Sequence, residues 1–391
     1  MNILKAIKGD KVIWIIVLLF SLISVIEVYS AVAQLASKYK GGNTSYYLVK
    51  HSLIIFFGLI LMYMVHKIRF NLFSRISQIA VWIAGPLLLY TLFRGVSAGE
   101  AARWLEIPGT GLTFQTSDFA KLALIVYIAR VLSIKQGQFT DFKTVFIQLL
   151  IPICIICGLI FPANFSTAAL LFFTCFLLMF IGKVPFKYLL AIMGTGILAL
   201  TLLITVILKF PDAIPRGETW KHRIENYWYG TTEENYQAQQ AKIAVGTSGI
   251  FWGKGPGNST QRGFLPQASS DFIFAILVEE LGLVIGGFIA LLYIIFLFRG
   301  IRIAQKSEKL FGTLAAFGLC FSLVFQAMIN MAVAVGLFPV TGQPLPFVSM
   351  GGTSIWFTSI TIGIVLSISR ETEKNSGEQI KEAEGGVLAT A

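Results

Sequence analysis

Long apolar stretches alternate with short polar ones along almost the whole chain. They run from about Val12 to Val32, Leu53 to Val65, Ile79 to Leu92, Phe119 to Leu132, Val145 to Phe161, Thr167 to Ile181, Tyr188 to Leu208, Phe272 to Phe298, Leu310 to Leu337 and Ile355 to Ile368. Crossing the roughly 30 Å hydrocarbon core of a bilayer takes about 20 mostly apolar residues, wound as helix because hydrocarbon offers an open backbone no hydrogen-bond partner. The pattern predicts an all-α, polytopic membrane protein of about ten transmembrane helices. One polar segment, 209–270, is far longer than the rest and falls between the seventh and eighth helices. Residues 1–370 then form one transmembrane domain, and 371–391, rich in Glu, Lys and Gly, read as a disordered tail.

Composition agrees. With 391 residues, 55% hydrophobic and only 13% charged, and a mean hydropathy of +0.75, the chain has too little polar cover for a water-soluble globule. Its first apolar run follows Lys5, Lys8 and Lys11, and Ala31 and Ala33 form an A-x-A, so a signal peptide competes. The run is longer than such a segment needs and more spans follow, which favours a first spanning helix.

The net charge of +11 does not form a nucleic-acid patch. Basic residues recur on alternate ends of the spans: Lys67, Arg69 and Arg75; Arg130, Lys135 and Lys143; Lys183 and Lys187; Arg299, Arg302, Lys306 and Lys309; Arg370 and Lys374. The positive-inside rule puts these loops and both termini in the cytoplasm, and 93–116, 209–270 and 339–352 outside. Lys38, Lys40 and Lys50 weaken that count without reversing it. Cys154 and Cys157 form a C-x-x-C inside an apolar helix, without the polar surroundings a thiolate needs, and Cys175 and Cys320 read as small apolar fillers.

The outward segments hold the densest polar chemistry. Asp271 stands where the long loop runs into an apolar helix, as a catalytic acid or as an ordinary helix cap. Ser117 and Asp118 open another helix and have the same capping alternative, while Lys121, about a turn further in, must snorkel, pair with Asp118 at i−3 or bind an anion. Arg103 beside Trp104 makes a second cation, and two cations suit a diphosphate or a phospholipid headgroup. The aromatic and basic run through Trp220, His222, Arg223, Tyr227, Trp228 and Tyr229 suits an interfacial helix or sugar stacking. Gly253, Gly255 and Gly257 lack the strand and the lysine of a phosphate loop and read as a flexible turn. Glu27 lies late in the first span, where a charge is costly unless it faces protein or water. Glu279 and Glu280 read as a buried hydrogen-bonded tie, and Asn330 with the Pro/Gly-rich 339–352 reads as a cavity wall whose kinked backbone needs polar partners.

In order and spacing, AARWL, FQTSDFAKLALIVY, GKGPGNSTQRGFLPQASSDFIFAILVEELG and GLFPVTGQPLPFVSMGGTS resemble the SEDS family of bacterial cell-wall polymerases, the group of FtsW, RodA and SpoVE. The resemblance spans nearly the whole chain. It implies a ten-helix fold and a peptidoglycan glycosyltransferase of the bacterial cytoplasmic membrane, polymerising lipid II at its outer face. A division-type, FtsW-like member is favoured over an elongation-type, RodA-like one, and a lipid II flippase is the competing class. The implied partners are a class B penicillin-binding protein and other division proteins, besides membrane lipids.

Carried over by residue, the family's essential acid falls on Asp271, its arginine before tryptophan on Arg103 and its lysine on Lys121. Substrate contacts are implied at Gln115, Ser117, Asp118, Gln261, Arg262, Ser349, Gly351 and Gly352, with a divalent cation (Mg2+ or Mn2+) as a candidate companion. The chain departs from the family pattern at Thr116, Asp118, Gln267 and Ser269, and Asn164 replaces an aspartate. The expected chemistry has Asp271 as a base for a sugar hydroxyl, while Arg103 and Lys121 neutralise the departing diphosphate.

Overall fold

The computed structural model describes residues 8–32, 43–97, 102–107, 112–139, 141–213, 217–221, 225, 233–265 and 268–388. Lys5, Ala33, Lys38, Lys40, His222, Arg223, Tyr227, Trp228, Tyr229 and Gln267, named above, lie outside the described residues, as does the side chain of Arg262.

The helices are α1 (Lys11–Ala31), α2 (Thr44–Lys67), α3 (Phe70–Arg94), α4 (Thr116–Ile134), α5 (Phe142–Ile160), α6 (Phe165–Ile181), α7 (Phe186–Lys209), α8 (Glu233–Gly246), α9 (Ile273–Leu281), α10 (Leu283–Lys306), α11 (Leu310–Ala334) and α12 (Thr353–Leu388). Eight of them are long and apolar enough to cross a membrane. The shorter α6 and the more charged α4 complete a bundle of ten. Sequence and structure thus agree on a multi-pass, essentially all-helical membrane protein.

Local chemistry explains the irregularities. Within α5 the stretch Phe146–Leu150 is π-helical, immediately before Pro152. Proline has no N–H for the carbonyl four residues back. That carbonyl, of Gln148, accepts the Tyr127 hydroxyl at 3.3 Å instead. Small residues let helices approach closely: a Cβ on Gly300 of α10 would stand 2.4 Å from Cys320 Sγ of α11, and one on Gly363 of α12 would stand 2.9 Å from Val65 of α2.

Three expectations change. Phe272 to Phe298 is not one helix, because Gly282, at φ +96°, ends α9 and starts α10 in a backbone region essentially reserved for glycine. The 93–116 segment contains a three-stranded antiparallel sheet, β1 (Val96–Ser97), β2 (Ala102–Ile107) and β3 (Leu112–Gln115), with Trp104 paired to Gln115 and Leu105 to Phe114. The stretch after Arg370 is helical, since α12 continues to Leu388. Extending an existing helix through Glu, Lys and Gln avoids the cost of nucleation.

The bundle has two chemically distinct ends. At the basic end, Arg299 Nε donates to Asp10 Oδ2 at 2.8 Å, Gly9 N donates to Glu373 Oε2 at 3.2 Å and Arg370 Nη1 donates to the Lys67 carbonyl at 2.9 Å. These bonds bring the start of α1 and the extension of α12 together. The other end holds the sheet, α8, α9 and the 339–352 segment. Of α7, only Leu189, Ile192 and Ile207 are buried, so this helix stands at the rim of the bundle.

Candidate active site

The site is built where α9, α11 and the 339–352 segment meet. Non-helical backbone among spanning helices needs side chains to meet its carbonyls. Four helical side chains do so. Asn330 Nδ2 donates to the Gln343 carbonyl at 2.7 Å, Gln326 Nε2 to that of Pro344 at 2.9 Å, the Tyr293 hydroxyl to that of Pro346 at 2.5 Å and the Ser24 hydroxyl to that of Val348 at 2.7 Å. So pinned, buried Phe347 holds a φ of +67°, which costs a bulky residue about 1–3 kcal/mol. The segment is a rigid wall.

Asp271 is fixed to that wall through its backbone. Asn330 Nδ2 also donates to the Asp271 carbonyl at 2.7 Å, Ser349 Oγ to the Ser270 carbonyl at 2.5 Å and Met350 N to the Ser269 carbonyl at 2.9 Å. The N-cap of α9 falls on Phe272, so the capping position is not Asp271's. Its half-buried carboxylate meets Arg103 across Gly342. A Cβ on Gly342 would stand 3.6 Å from Asp271 Oδ2 and 3.9 Å from Arg103 Nη1. Acid and cation thus face one small volume, bounded by a glycine at φ +63°.

Arg103, one residue before the Trp104–Gln115 pair of the β2–β3 ladder, is aimed by Nε donating to the Ala163 carbonyl at 2.9 Å. It lines two spaces. One is a narrow cleft shared with Gln115, Ser117 and Asn164, where Gln115 Nε2 donates to Ser117 Oγ at 3.1 Å. The other is a cavity of about 510 Å³ between α6, α7 and α11. There Arg103, Asn164 and Thr341 contribute polar groups, while Leu170, Leu203, Ile204 and Ile329 make apolar walls. Asn164 Oδ1 caps α6 at Thr167 N (3.1 Å) and accepts from Gln343 Nε2 at 3.3 Å, which ties α6 to the same wall.

Lys121 goes elsewhere, contrary to its expected place beside Arg103. Its ammonium is 2.8 Å from Asp118 Oδ1 and donates to Gln326 Oε1 at 3.2 Å, in a cleft that shares no lining residue with those of Arg103. The i−3 acid captures it one turn into α4. Through Gln326 the pair reaches the Pro344 carbonyl, so Lys121 and Asp118 brace the wall. Ser349 is likewise engaged, accepting from Leu345 N at 2.8 Å while it donates to Ser270. Gly351 and Gly352 lead from the wall into α12.

Gln261 opens a 3-10 turn, Gln261–Gly263, where its backbone N–H donates to Glu279 at 3.4 Å. Glu279 and Glu280 form the tie expected of them. Glu279 accepts from Lys254 Nζ at 2.6 Å, Thr260 N at 3.1 Å, Thr260 Oγ1 at 2.6 Å and the Ser259 hydroxyl. Glu280 accepts from Gly257 N at 3.1 Å, Ser259 N at 3.2 Å and the Ser30 hydroxyl. Burial alone would push the Glu279 carboxyl up, but the bonds from Lys254, Ser259 and Thr260 outweigh it and hold the group below its usual value. Among the described residues no three His, Cys, Asp or Glu side chains converge on a metal position. Gln326 was not singled out from the sequence. Its signal is a second polar residue one turn before Asn330 on an otherwise apolar helix.

Comparison with known proteins identifies the family. A family model described as cell cycle protein, covering FtsW, RodA and SpoVE, matches residues 10–374. Stage V sporulation protein E of Bacillus subtilis is 32% identical over 94% of this chain and 98% of its own length. A probable peptidoglycan glycosyltransferase FtsW of Geobacter sulfurreducens is 30% identical over 94% of this chain and 97% of its own. Among solved structures, a chain from a peptidoglycan synthase complex that coordinates polymerization and crosslinking superposes with a TM-score of 0.76 at 22% identity, over 93% of this chain and 98% of that one. The rod shape determining protein RodA of Thermus thermophilus gives 0.66 at 22%, over 93% and 97%.

Proposed function

The chain belongs to the SEDS family, the FtsW, RodA and SpoVE group, and from that premise we propose that it is a peptidoglycan glycosyltransferase polymerising lipid II into glycan strands. The observation that carries this reading is the meeting of Asp271 and Arg103 across Gly342, with Arg103 at the polar lining of an apolar cavity.

In the reaction, the 4-hydroxyl of the acceptor lipid II attacks the anomeric carbon of the lipid-linked growing chain. A new C–O bond forms with inversion, the bond from that carbon to the diphosphate oxygen breaks, and the hydroxyl proton goes to Asp271. The leaving diphosphate needs its charge neutralised rather than a proton, and Arg103 offers a planar donor fork for that purpose. The cavity bounded by α6, α7 and α11 suits the first units of the prenyl chain, whose remainder stays in lipid. Asp118, Lys121, Gln326 and Asn330 hold the wall against which the acid is set.

The basic end is assigned to the cytoplasm, with both termini, and the Asp271 end to the outer face of the bacterial cytoplasmic membrane. A class B penicillin-binding protein is the proposed transpeptidase partner, and a division role is favoured by the FtsW relatives. The test is polymerisation of labelled lipid II by purified protein with that partner. Losing a general base costs about 100-fold to 10,000-fold. Asp271→Asn is therefore expected to lose that much product while remaining folded, and equal rates from both proteins would overturn the assignment. Lipid translocation in vesicles without polymer, lost in the same variant, would replace it with a transporter.

A further inference from the structure

A short turn in the long loop displays three large apolar side chains in succession. Ile250, Phe251 and Trp252 are 64%, 70% and 87% exposed. The turn is not a loose tip. Leu283 N donates to the Gly249 carbonyl at 3.1 Å and Val284 N to that of Ile250 at 3.0 Å, which fasten one side to the first turn of α10. On the other side Lys254 N donates to the Glu279 carbonyl at 3.0 Å and Gly255 N to that of Glu280 at 2.9 Å. Gly253 lies so close to α9 that a Cβ there would stand 2.3 Å from the Glu280 carbonyl. Backbone bonds on both sides therefore hold the three side chains outward.

The same loop shows what a tryptophan does when protein can cover it. Trp220 is 8% exposed and packs edge-on against Phe161 with ring centres 5.0 Å apart. Trp252 has no such cover. The surface it joins is that of a membrane-spanning helix: Leu283, Val284, Ile285 and Phe288, at the start of α10, are 43%, 48%, 36% and 44% exposed. A patch this apolar and contiguous marks an interaction surface rather than a water-facing one. Tryptophan favours the headgroup boundary, where its ring is buried and its N–H remains wet.

We propose that Ile250, Phe251 and Trp252 insert into the interfacial zone of the bilayer, as a lipid-embedded anchor that sets the depth of the loop tied to Glu279 and Glu280. The occupant is the lipid surface, because the patch continues the lipid-facing side of α10 without a break. The inference does not depend on the polymerase reading, and its test does not measure glycan.

The full chain, with Cys154, Cys157, Cys175 and Cys320 replaced by alanine, is reconstituted in phosphatidylcholine vesicles with a nitroxide at Trp252→Cys. Phe288→Cys serves as the lipid-facing control and Asn258→Cys as the control on the polar side of the loop. Oxygen, concentrated in lipid, is expected to relax the 252 label more than a water-soluble nickel chelate does, as at 288 and opposite to 258. A label relaxed mainly by nickel overturns the anchor, and one shielded from both reagents assigns the patch to a protein partner and also overturns it. A second measurement keeps the native cysteines. The fluorescence lost on Trp252→Phe should be that quenched by lipids brominated near the headgroup end of the chain. Quenching that is unchanged by the substitution overturns the proposal independently.

Discussion

Lys121 shows how one turn of helix decides between a ligand and a brace. Its charge is matched by Asp118 and shared with Gln326, and Asp118 is almost completely buried. Removing one partner of such a pair leaves an uncompensated buried charge, which costs about 3–5 kcal/mol. Lys121→Met should therefore lower the unfolding temperature sharply, and Asp118→Asn combined with it should restore most of the loss. Arg103 is held differently, with Nε bonded to a backbone carbonyl and Nη1 directed to the Asp271 side of Gly342. A hydrogen bond to a charged group contributes about 1.5–3 kcal/mol. Arg103→Lys keeps the charge but loses the fork, so polymerisation should fall about tenfold to a hundredfold with the unfolding temperature unchanged. A variant that melts early, with activity tracking the folded fraction, would instead give Arg103 the bracing part. Sequence alone identified both cations, since a lysine inside an apolar helix and an arginine beside tryptophan are visible in one dimension. It could not separate them, because the answer lies in Gln326, more than two hundred residues from Lys121.

The break between α9 and α10 is where periodicity was least able to help. Phe272 to Phe298 is apolar apart from Glu279 and Glu280, and one glycine in such a run looks like any other helical glycine. Only the loop that returns to Gly282 gives it meaning: a Cβ there would stand 3.2 Å from Gly249 O and 3.2 Å from Gly253 N, at a φ of +96°. Gly282→Ala should cost about 1–3 kcal/mol. Amide exchange in 249–261 should rise with it while the rest of α10 stays protected. The Glu279 tie predicts a pH dependence in the same loop. Its folded pKa is depressed, so its stabilising contribution is complete above the usual value of 4.5 and is lost as the pH falls through the lower folded value. Protection of 254–261 should be flat above pH 4.5 and decline below it. Glu279→Gln should remove the decline, and a tie unaffected by either change would be held by backbone bonds alone. The adjacent glutamates, and the need of 339–352 for polar partners, were legible because charge and open backbone are costly beside hydrocarbon. The β2–β3 hairpin was not read, although Pro-Gly-Thr-Gly at 108–111 is a turn signal, because its strands of six and four residues are too short for alternation to stand out.

The ten-helix topology was the most legible feature, since it follows from two averages, apolar length and basic-loop bias, that no single residue controls. The structure adds a physical link between the two ends of the chain: Gly9 N meets Glu373 and Asp10 meets Arg299, which place the start of α1 beside the α12 extension at the basic end. An even number of crossings returns the chain to the side from which it began, and those bonds require the same independently. The loop that carries Lys254 and Asn258 lies with α9 at the opposite end, since Lys254 is bonded to Glu279 and Asn258 Nδ2 donates to the Lys254 carbonyl at 3.1 Å. Orientation in the membrane is then a single binary choice, decided by the basic residues. Asn258→Cys and Lys374→Cys, both at exposed positions, read it directly. A membrane-impermeant maleimide added to intact cells stripped of outer layers should label 258 and leave 374 untouched, with 374 reacting only after permeabilisation. Cys154 lies within the membrane-spanning α5 and the other native thiols are buried, so the background should stay low. Labelling at 374 in intact cells would turn the bundle over and put Asp271 on the side where lipid II is made rather than used. Labelling at both positions would contradict the three crossings, α10, α11 and α12, that separate residue 258 from residue 374.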